Sequence, residues 1–347
     1  MNQSVEATES ASQLRSSKWA HWLAVLLTVA AFPLIWVGGL VTTYGAGMAV
    51  PDWPNTYGWN MFLYPPSTWL YGGFDLLVEH GHRLLASLAG LMSIALWVAA
   101  FKNDHRRWFR FWCSGVLLAV ILQGALGGVR VLLDERVAAL VHGCAAQLFL
   151  AMVTATAVMS SPWWSGGFQR ELVCKSGSQT HARQPASRFL ACLMSFLLVI
   201  AFCQVIAGAL LRHVPITTLP GTFMGLVHVH LMLAGLVFLT SLVAASNVLF
   251  APRLWGGVKK PVFLILVVIV LQLVLGFGTW MANYALPWQE LNLALAKYTI
   301  TAKGYWESIV ITSHVATGAL IICLSTLTAV RAWRSRFVWC DANEPSV

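Results

Sequence analysis

Histidines stand out in this chain because several fall inside stretches that are otherwise apolar. One motif reads Glu-His-Gly-His-Arg over 79–83, and a second reads His-Val-His over 228–230. Ionisable side chains are costly at membrane depth, so those that occur there are candidates for function. The recurrence of a histidine doublet in both halves of the chain predicts a duplicated unit with one polar site per half.

Four histidines are candidate metal ligands, and they fall on alternate apolar segments. Each lies a few residues after the predicted start of its segment, so all four are expected at similar depth in the outer part of a membrane. Neutral imidazole binds iron well, and helix bundles host such sites between facing helices. The pattern predicts two bis-histidine heme sites. The candidate pairs are His82 with His142 and His230 with His314.

The doublets leave a choice of ligand in each half. Positions i and i+2 do not share a helix face, so both members of a doublet are not expected to bind one iron. We favour His82 and His230 because each is followed by alanine at the same spacing. His80 and His228 remain candidates for contacts to heme propionates or for an outer hydrogen-bond network.

A carboxylate accompanies the first histidine site and not the second. Glu79 lies three residues before His82 and four before Arg83, so it shares a helix face with both. One interpretation is an ion pair within the helix. The other is a catalytic carboxylate that relays protons or stabilises positive charge on an oxidised substrate or on iron. Val227 takes the corresponding place in the second half, which favours catalysis in the first half and a structural or electron-transferring heme in the second.

The elements that must position these residues are membrane helices. Of the 347 residues, 58% are hydrophobic and 10% are charged, whereas a soluble domain carries about 25% charged residues. Eight apolar segments are long enough to cross a bilayer. We predict an all-α membrane protein whose eight transmembrane helices form two pseudo-symmetric four-helix bundles. The predicted segments are 19–42, 75–101, 109–133, 137–160, 187–211, 220–250, 261–283 and 305–331.

Charge predicts the orientation of the chain. The formal net charge is +9, but the basic residues flank apolar segments, which argues against nucleic acid as a partner. Most of them lie on the side of the two termini, which the positive-inside rule assigns to the cytoplasm. We therefore expect a multi-pass protein of the cell's inner (plasma) membrane. The predicted divisions are a cytoplasmic tail (1–18), an N-terminal bundle (19–161), a cytoplasmic linker (162–186), a C-terminal bundle (187–331) and a cytoplasmic tail (332–347).

The longest outer connection, 43–74, lacks lysine and arginine and is rich in aromatic residues. Such a segment indicates either an aromatic belt at the membrane interface or a lid over a site. Small residues also recur in the halves: Gly38 in the first segment matches Gly208 in the fifth, and the third and seventh segments both carry Leu-Gln followed by glycines. They permit close approach of a helix or a macrocycle, although ordinary helix packing is the simpler explanation for most of them.

The chain resembles the heme A synthase family, membrane enzymes that oxidise heme O to heme A. The resemblance covers roughly residues 19–331 and rests on an ordered set of eight helices with four histidines. The residues that carry it are the Glu-x-x-His-Arg pattern at 79–83, the helix histidines His142, His230 and His314, Gly-Ala-Leu-Gly-Gly at 124–128 and Pro-Asp-Trp-Pro at 51–54.

The resemblance implies successive hydroxylation of one heme ring methyl to a formyl group, with Glu79 essential to the chemistry. It implies a heme b in the second half, and heme O as substrate and heme A as product in the first. The implied partners are a heme O synthase, a heme-copper oxidase or its assembly factors, and a membrane electron donor, with room for a homo-oligomer. The predicted ligands and cofactor contacts are His82, Arg83, His142, His228, His230 and His314.

Two departures from the family pattern leave parts of this interpretation open. Many members carry a cysteine pair in the first outer loop, and residues 43–74 contain no cysteine, so the route of the reductant stays open. Arginine often follows the histidine of the sixth helix, where this chain has Leu231. The propionate contacts of the second heme therefore stay open as well.

Two other classes of function remain. A diheme b-type cytochrome, acting as an electron carrier or quinol oxidoreductase, would have two equivalent low-spin hemes and no role for Glu79 beyond folding. A transporter would need a polar pathway across the membrane and paired helix interruptions, whereas the candidate ligands of this chain cluster on one side.

Overall fold

Eight long helices dominate the computed structural model, which describes residues 17–164, 184–215, 217–251, 254–284 and 304–343. All eight are long and apolar enough to cross a membrane, which confirms the predicted helix count. In chain order they are Lys18–Thr43 (α1), Phe74–Asn103 (α2), Arg107–Leu133 (α3), Arg136–Met159 (α4), Arg188–Arg212 (α5), Pro220–Leu249 (α6), Gly256–Tyr284 (α7) and Tyr305–Asn343 (α8).

Two helix ends differ from the predicted bounds by more than two residues. Helix α7 begins at Gly256 and continues through Pro261, which the prediction took as the start. Pro261 has no N–H for the carbonyl of Gly257, and Arg331 of α8 donates to that carbonyl instead at 3.2 Å. Helix α8 runs to Asn343, so the tail predicted from residue 332 begins as helix.

Serine starts the first helix of each half. Ser17 accepts a hydrogen bond from the N–H of Ala20 at 3.2 Å, and Ser187 accepts one from Leu190 at 3.1 Å. A serine oxygen at this position satisfies one of the free N–H groups of a helix start. The predicted linker lies between these halves, and most of it, residues 165–183, falls outside the described residues.

Helix contacts divide the eight helices into two sets of four. Within the first set α1 packs on α2, α2 on α3, α3 on α4, and α4 back on α1. Helices α5 to α8 close a second ring in the same order. The junction is formed by α1 and α4 against α8, with a smaller contact between α4 and α5. The pseudo-symmetry of the two bundles stays a prediction.

Each bundle has its own apolar core, and both cores lie in the half of the bundle away from the candidate histidines. In the first bundle the core includes Leu27, Leu96 and Phe109. In the second it includes Leu197, Ala244 and Ile265 among others. The histidines fall near the starts of the even-numbered helices.

Candidate functional site

Each of the four candidate histidines lies against a glycine of the preceding helix, which we call its glycine seat. A Cβ atom added to any of these glycines would lie between 2.9 and 3.1 Å from the Cε1 atom of the histidine. That is at or below the closest approach of ordinary side chains, so each contact favours glycine. The pairs are Gly38 with His82, Gly127 with His142, Gly208 with His230, and Gly276 with His314.

The two histidines of the second bundle face each other. The ring centroids of His230 and His314 are 6.4 Å apart, and the ring planes are inclined by 65°. A metal–imidazole bond of about 2 Å places the centroids of two rings that share one metal about 6 Å apart. The separation therefore fits two ligands of one iron. His228 of the same doublet is exposed, whereas His230 is half-buried.

The first bundle brings His82 and His142 together. They lie within electrostatic range of each other, and both are half-buried on their seats. The amide of Gln123 contacts the Nδ1 atom of His142 at 3.2 Å. The Nδ1 atom of His82 is buried and has no hydrogen-bond partner among the described residues.

Glu79 forms a buried ion pair with Arg83. Its Oε1 atom accepts from Nη2 of Arg83 at 2.9 Å, and its Oε2 atom accepts from the backbone N–H of Val50 at 2.9 Å. The carboxylate is 2% exposed. The ion-pair interpretation of this motif therefore describes a contact that the structure contains, and the catalytic interpretation remains a proposal beside it.

Arg83 ties the outer loop to α2. Its guanidinium donates to the carbonyl oxygens of Asp52 at 2.7 Å, Asn55 at 3.0 Å and Val50 at 2.6 Å. Carbonyls that meet a buried guanidinium are satisfied without water. The pair Glu79–Arg83 thus fixes one edge of the loop over the histidine-bearing end of the first bundle.

The Pro-Asp-Trp-Pro motif shapes the loop through Asp52. Its carboxylate accepts from the backbone N–H groups of Tyr57 and Gly58, both at 2.8 Å. Both residues have positive φ, 50° and 76°, as a tight hairpin turn requires, and Thr56 and Trp59 pair on either side of it. Partial burial acts to raise the pKa of Asp52, but these backbone N–H groups outweigh it and hold the pKa below its usual value.

The loop also contacts α3. The indole of Trp53 lies on Gly128, next to the seat of His142, and the guanidinium of Arg130 lies on Gly47 in the loop. A side chain at either glycine would collide with its neighbour. The loop therefore lies across the histidine-bearing end of the first bundle, which favours the lid interpretation over a detached aromatic belt.

His80 belongs to the loop and not to the pair of ring ligands. Its Nδ1 atom is 3.3 Å from the hydroxyl of Thr56, and its ring packs against Tyr64 and Trp69. It is 1% exposed. This is the outer hydrogen-bond network that the sequence offered as one role for His80, on the opposite side of α2 from the glycine seat of His82.

Comparison with known proteins finds similarity over part of the chain. The COX15-CtaA model, described as cytochrome oxidase assembly protein, matches residues 73–223. A heme A synthase of Symbiobacterium thermophilum is 30% identical over 205 residues, which is 58% of this chain and 59% of the relative. A heme A synthase of Alkalihalophilus pseudofirmus is 23% identical over 194 residues, which is 55% of this chain and 58% of the relative.

The chain is similar to these heme A synthases over part of its length, and the family model matches less than half of it. It matches just under three fifths of the length of these curated relatives. The range matched by the family model includes Glu79, His82 and His142 and ends before His230 and His314. The second-bundle histidines are connected to the first by the structure, because all four rings lie on glycine seats.

These relatives are named for heme A, and the residues of the candidate site fit a heme group. A porphyrin already supplies four ligands to its iron, so the protein needs to add pairs of imidazoles rather than a cluster. In the second bundle the facing rings of His230 and His314, whose centroids are 6.4 Å apart, meet that need. The glycines beside the rings let each imidazole lie close to the backbone of the neighbouring helix.

Sequence reasoning missed the partners of the histidines. It noted the recurring glycines and assigned most of them to ordinary helix packing, whereas four of them lie on histidine rings. It did not use the glutamines four residues before three of these glycines, Gln123, Gln204 and Gln272. Their constant spacing from glycine was a signal that the sequence contained.

Proposed function

We propose that this protein is a heme A synthase that oxidises a ring methyl of heme O to a formyl group by successive hydroxylation, for the biogenesis of heme-copper oxidases. The observation that carries the proposal is the asymmetry between two otherwise matched histidine sites. Each has two imidazoles on glycine seats, but the first alone has a buried carboxylate on the same helix as a ligand, Glu79 three residues before His82.

In this proposal His82 and His142 bind the substrate heme O in the first bundle, and Glu79 serves the chemistry. Arg83 holds the Oε1 atom of Glu79, while the Oε2 atom accepts from the backbone N–H of Val50. Oε2 is the oxygen with the weaker partner, so we assign to it the exchange of a proton with the reacting centre. The outer loop excludes water from this end of the bundle.

In this proposal the second bundle holds a heme b between His230 and His314. The remaining predicted cofactor contacts are His228 in the same bundle and Arg83 in the first bundle. Bound there, the heme would supply one-electron transfer. The protein's own contribution is to fix both imidazoles on Gly208 and Gly276. Val227, buried where the first bundle has Glu79, places no charge beside this pair, which suits an electron-transferring site.

The surroundings of the reaction follow from the same assignment. Both termini would lie in the cytoplasm at the plasma membrane, because the basic residues concentrate on that side. A heme O synthase would supply the substrate, a membrane donor the electrons, and a heme-copper oxidase or its assembly factors would receive the product. The cytochrome oxidase assembly description of the matching family supports the last of these.

The test is heme extraction and mass analysis of the purified protein, expressed with and without a heme O synthase. Heme A or its hydroxylated precursor, found only with the synthase, would support the proposal. Heme b alone in both preparations, at two per chain with bis-histidine spectra, would contradict it.

That second outcome would favour a diheme electron carrier, and one observation supports this alternative. Both carboxylate oxygens of Glu79 are engaged by Arg83 and Val50, as expected of a carboxylate that stabilises the loop. The same heme analysis separates the two functions, because an electron carrier makes no new heme.

A further inference from the structure

Three of the four glycine seats have a glutamine one helical turn earlier. Gln123, Gln204 and Gln272 each precede their seat by four residues, and residues four apart share a helix face. Before Gly38, the seat of His82, the same position is Leu34. The pattern therefore distinguishes one histidine from the other three.

Each glutamine reaches the histidine of its own seat. The Nε2 atom of Gln123 is 3.2 Å from Nδ1 of His142, and the Nε2 atom of Gln204 is 3.2 Å from Nε2 of His230. Gln123 also donates to the backbone carbonyl of His142 at 2.9 Å. One amide thus lies against one ring nitrogen in each pair.

The third pair, Gln272 and His314, is joined twice. The amide Nε2 of Gln272 lies 3.5 Å from Nε2 of His314, and Nδ1 of His314 lies 3.2 Å from the backbone carbonyl of Gln272. The ring of His314 is therefore held by the same residue through its side chain and its backbone.

The amide oxygens of these glutamines are left over. The Oε1 atoms of Gln123, Gln204 and Gln272 are all buried and have no hydrogen-bond partner among the described residues. A buried acceptor without a donor costs stability. A histidine that binds a metal through one ring nitrogen carries its proton on the other, and that N–H needs an acceptor. A glutamine amide flipped by 180° exchanges Nε2 for Oε1 and offers that oxygen to the N–H.

We infer that Gln123, Gln204 and Gln272 are positioning residues that accept the free ring N–H of His142, His230 and His314 when these bind heme iron. Gln123 and Gln204 do so through the side-chain amide, and Gln272 through the backbone carbonyl that lies 3.2 Å from Nδ1 of His314. The inference rests on the proposed function, because it presupposes bound heme. An accepted N–H fixes the ring orientation and makes the imidazole a stronger ligand. The three histidines with a glutamine are the permanent ligands.

His82 is then the exchangeable ligand of the substrate heme. The side chain of Leu34 cannot accept a hydrogen bond. The backbone carbonyl of Leu34 approaches the ring of His82, but Nδ1 of His82 is buried with no partner in hydrogen-bond geometry among the described residues. The weakest of the four imidazoles is therefore on the helix that carries Glu79, three residues from it. A weakly held His82 would leave the substrate iron able to take another ligand.

The first test measures the second-bundle heme. In Gln204→Leu the imidazole loses its acceptor and donates less charge, so the midpoint potential should rise and the heme should dissociate about tenfold faster. Gln272→Leu keeps the backbone acceptor of His314 and should change neither quantity. Gln147→Leu is the matched control, because Gln147 is a buried glutamine of α4 for which the described residues show no hydrogen bond to a histidine. An unchanged potential and dissociation rate in Gln204→Leu would overturn the inference.

The second test uses carbon monoxide as a probe of the substrate heme. Protein co-expressed with a heme O synthase and purified without oxygen retains heme O, and carbon monoxide should replace His82 on its reduced iron. Leu34→Gln should weaken that binding about tenfold by strengthening His82, whereas Leu34→Met, equally apolar, should not. Equal carbon monoxide binding in wild type and Leu34→Gln would overturn the assignment of His82.

Heme content separates the failure of this inference from the failure of the proposed function. Wild-type protein that retains no heme under either condition contradicts the proposed function. Wild-type protein with normal heme content, whose potential and carbon monoxide binding do not respond to the variants, contradicts the role of the glutamines alone.

Discussion

At the scale of single residues, Glu79 has both a proposed catalytic role and a structural contact. Glu79 accepts hydrogen bonds from Arg83 and from the backbone of Val50, so it stabilises the outer loop whatever else it does. A glutamine at this position has the same shape and retains an oxygen acceptor but no charge. Substitution by glutamine therefore separates the two roles.

We expect Glu79→Gln to keep the fold and the heme b content and to lower heme A formation about a hundredfold or more, since general acid–base groups contribute factors of this size. The measurement is heme A per protein after co-expression with a heme O synthase. Glu307→Gln is the control, because the Oε2 atom of Glu307 also accepts a backbone N–H, that of Gly304 at 2.7 Å. Normal conversion in Glu79→Gln would remove the catalytic role.

The choice between the two histidines of the second doublet is also decided at the residue scale. His230→Ala and His314→Ala should each lower the heme b content at least about tenfold, because each removes a ligand. His228→Ala should leave it unchanged, since His228 is exposed and it is His230 whose ring faces His314. The pyridine hemochrome assay measures this directly. Heme loss in His228→Ala with retention in His230→Ala would reverse the assignment.

At the scale of the helices, the packing of neighbouring helices at the four glycine seats positions the candidate histidine ligands. An odd-numbered helix presents glycine where the next helix presents histidine, so the imidazole lies close to a neighbouring backbone. A methyl group on the seat would move the ring because Cβ would come within 3.1 Å of Cε1 in the case of Gly127 and His142. Elsewhere on α3, Gly124 has open space around its Cα.

This contrast gives a matched pair on one helix. Both Gly127→Ala and Gly124→Ala improve the helix propensity of α3 by about 1 kcal/mol. Gly127→Ala should nevertheless reduce retention of heme O severalfold in protein purified without oxygen, while Gly124→Ala should retain the wild-type amount. Equal retention in the two variants would show that the seat of His142 has no part in placing the ligand.

At the scale of the whole molecule, the loop between α1 and α2 covers the outer end of the first bundle, while the last turns of α8 pack at the other end against the segment that precedes α5. There the backbone N–H of Ala186 donates to the hydroxyl of Ser335 at 3.2 Å. The two ends of the molecule therefore differ in character. The site and its loop lie at one end, and the basic flanks lie at the other.

We predict the orientation from the distribution of charge, and cysteine labelling measures it. Asn60 in the outer loop and His105 between α2 and α3 are both exposed. In intact cells a membrane-impermeant maleimide should label Asn60→Cys, and it should label His105→Cys only after permeabilisation, because basic flanks stay inside. The wild-type protein with its own cysteines provides the background. Labelling with the opposite preference would invert the predicted topology.

The sequence by itself determined the number of helices, the positions of the four histidines along them and the unequal charge of the two halves. Length and hydropathy specify a membrane span, and ionisable residues within one are few enough to be recognised. Tertiary structure decided which faces meet: that His80 packs under the loop, that Arg83 holds loop carbonyls, and that glycine and glutamine adjoin the ligands. These helices are apolar on all sides, so periodicity alone does not show which side of one faces its neighbour.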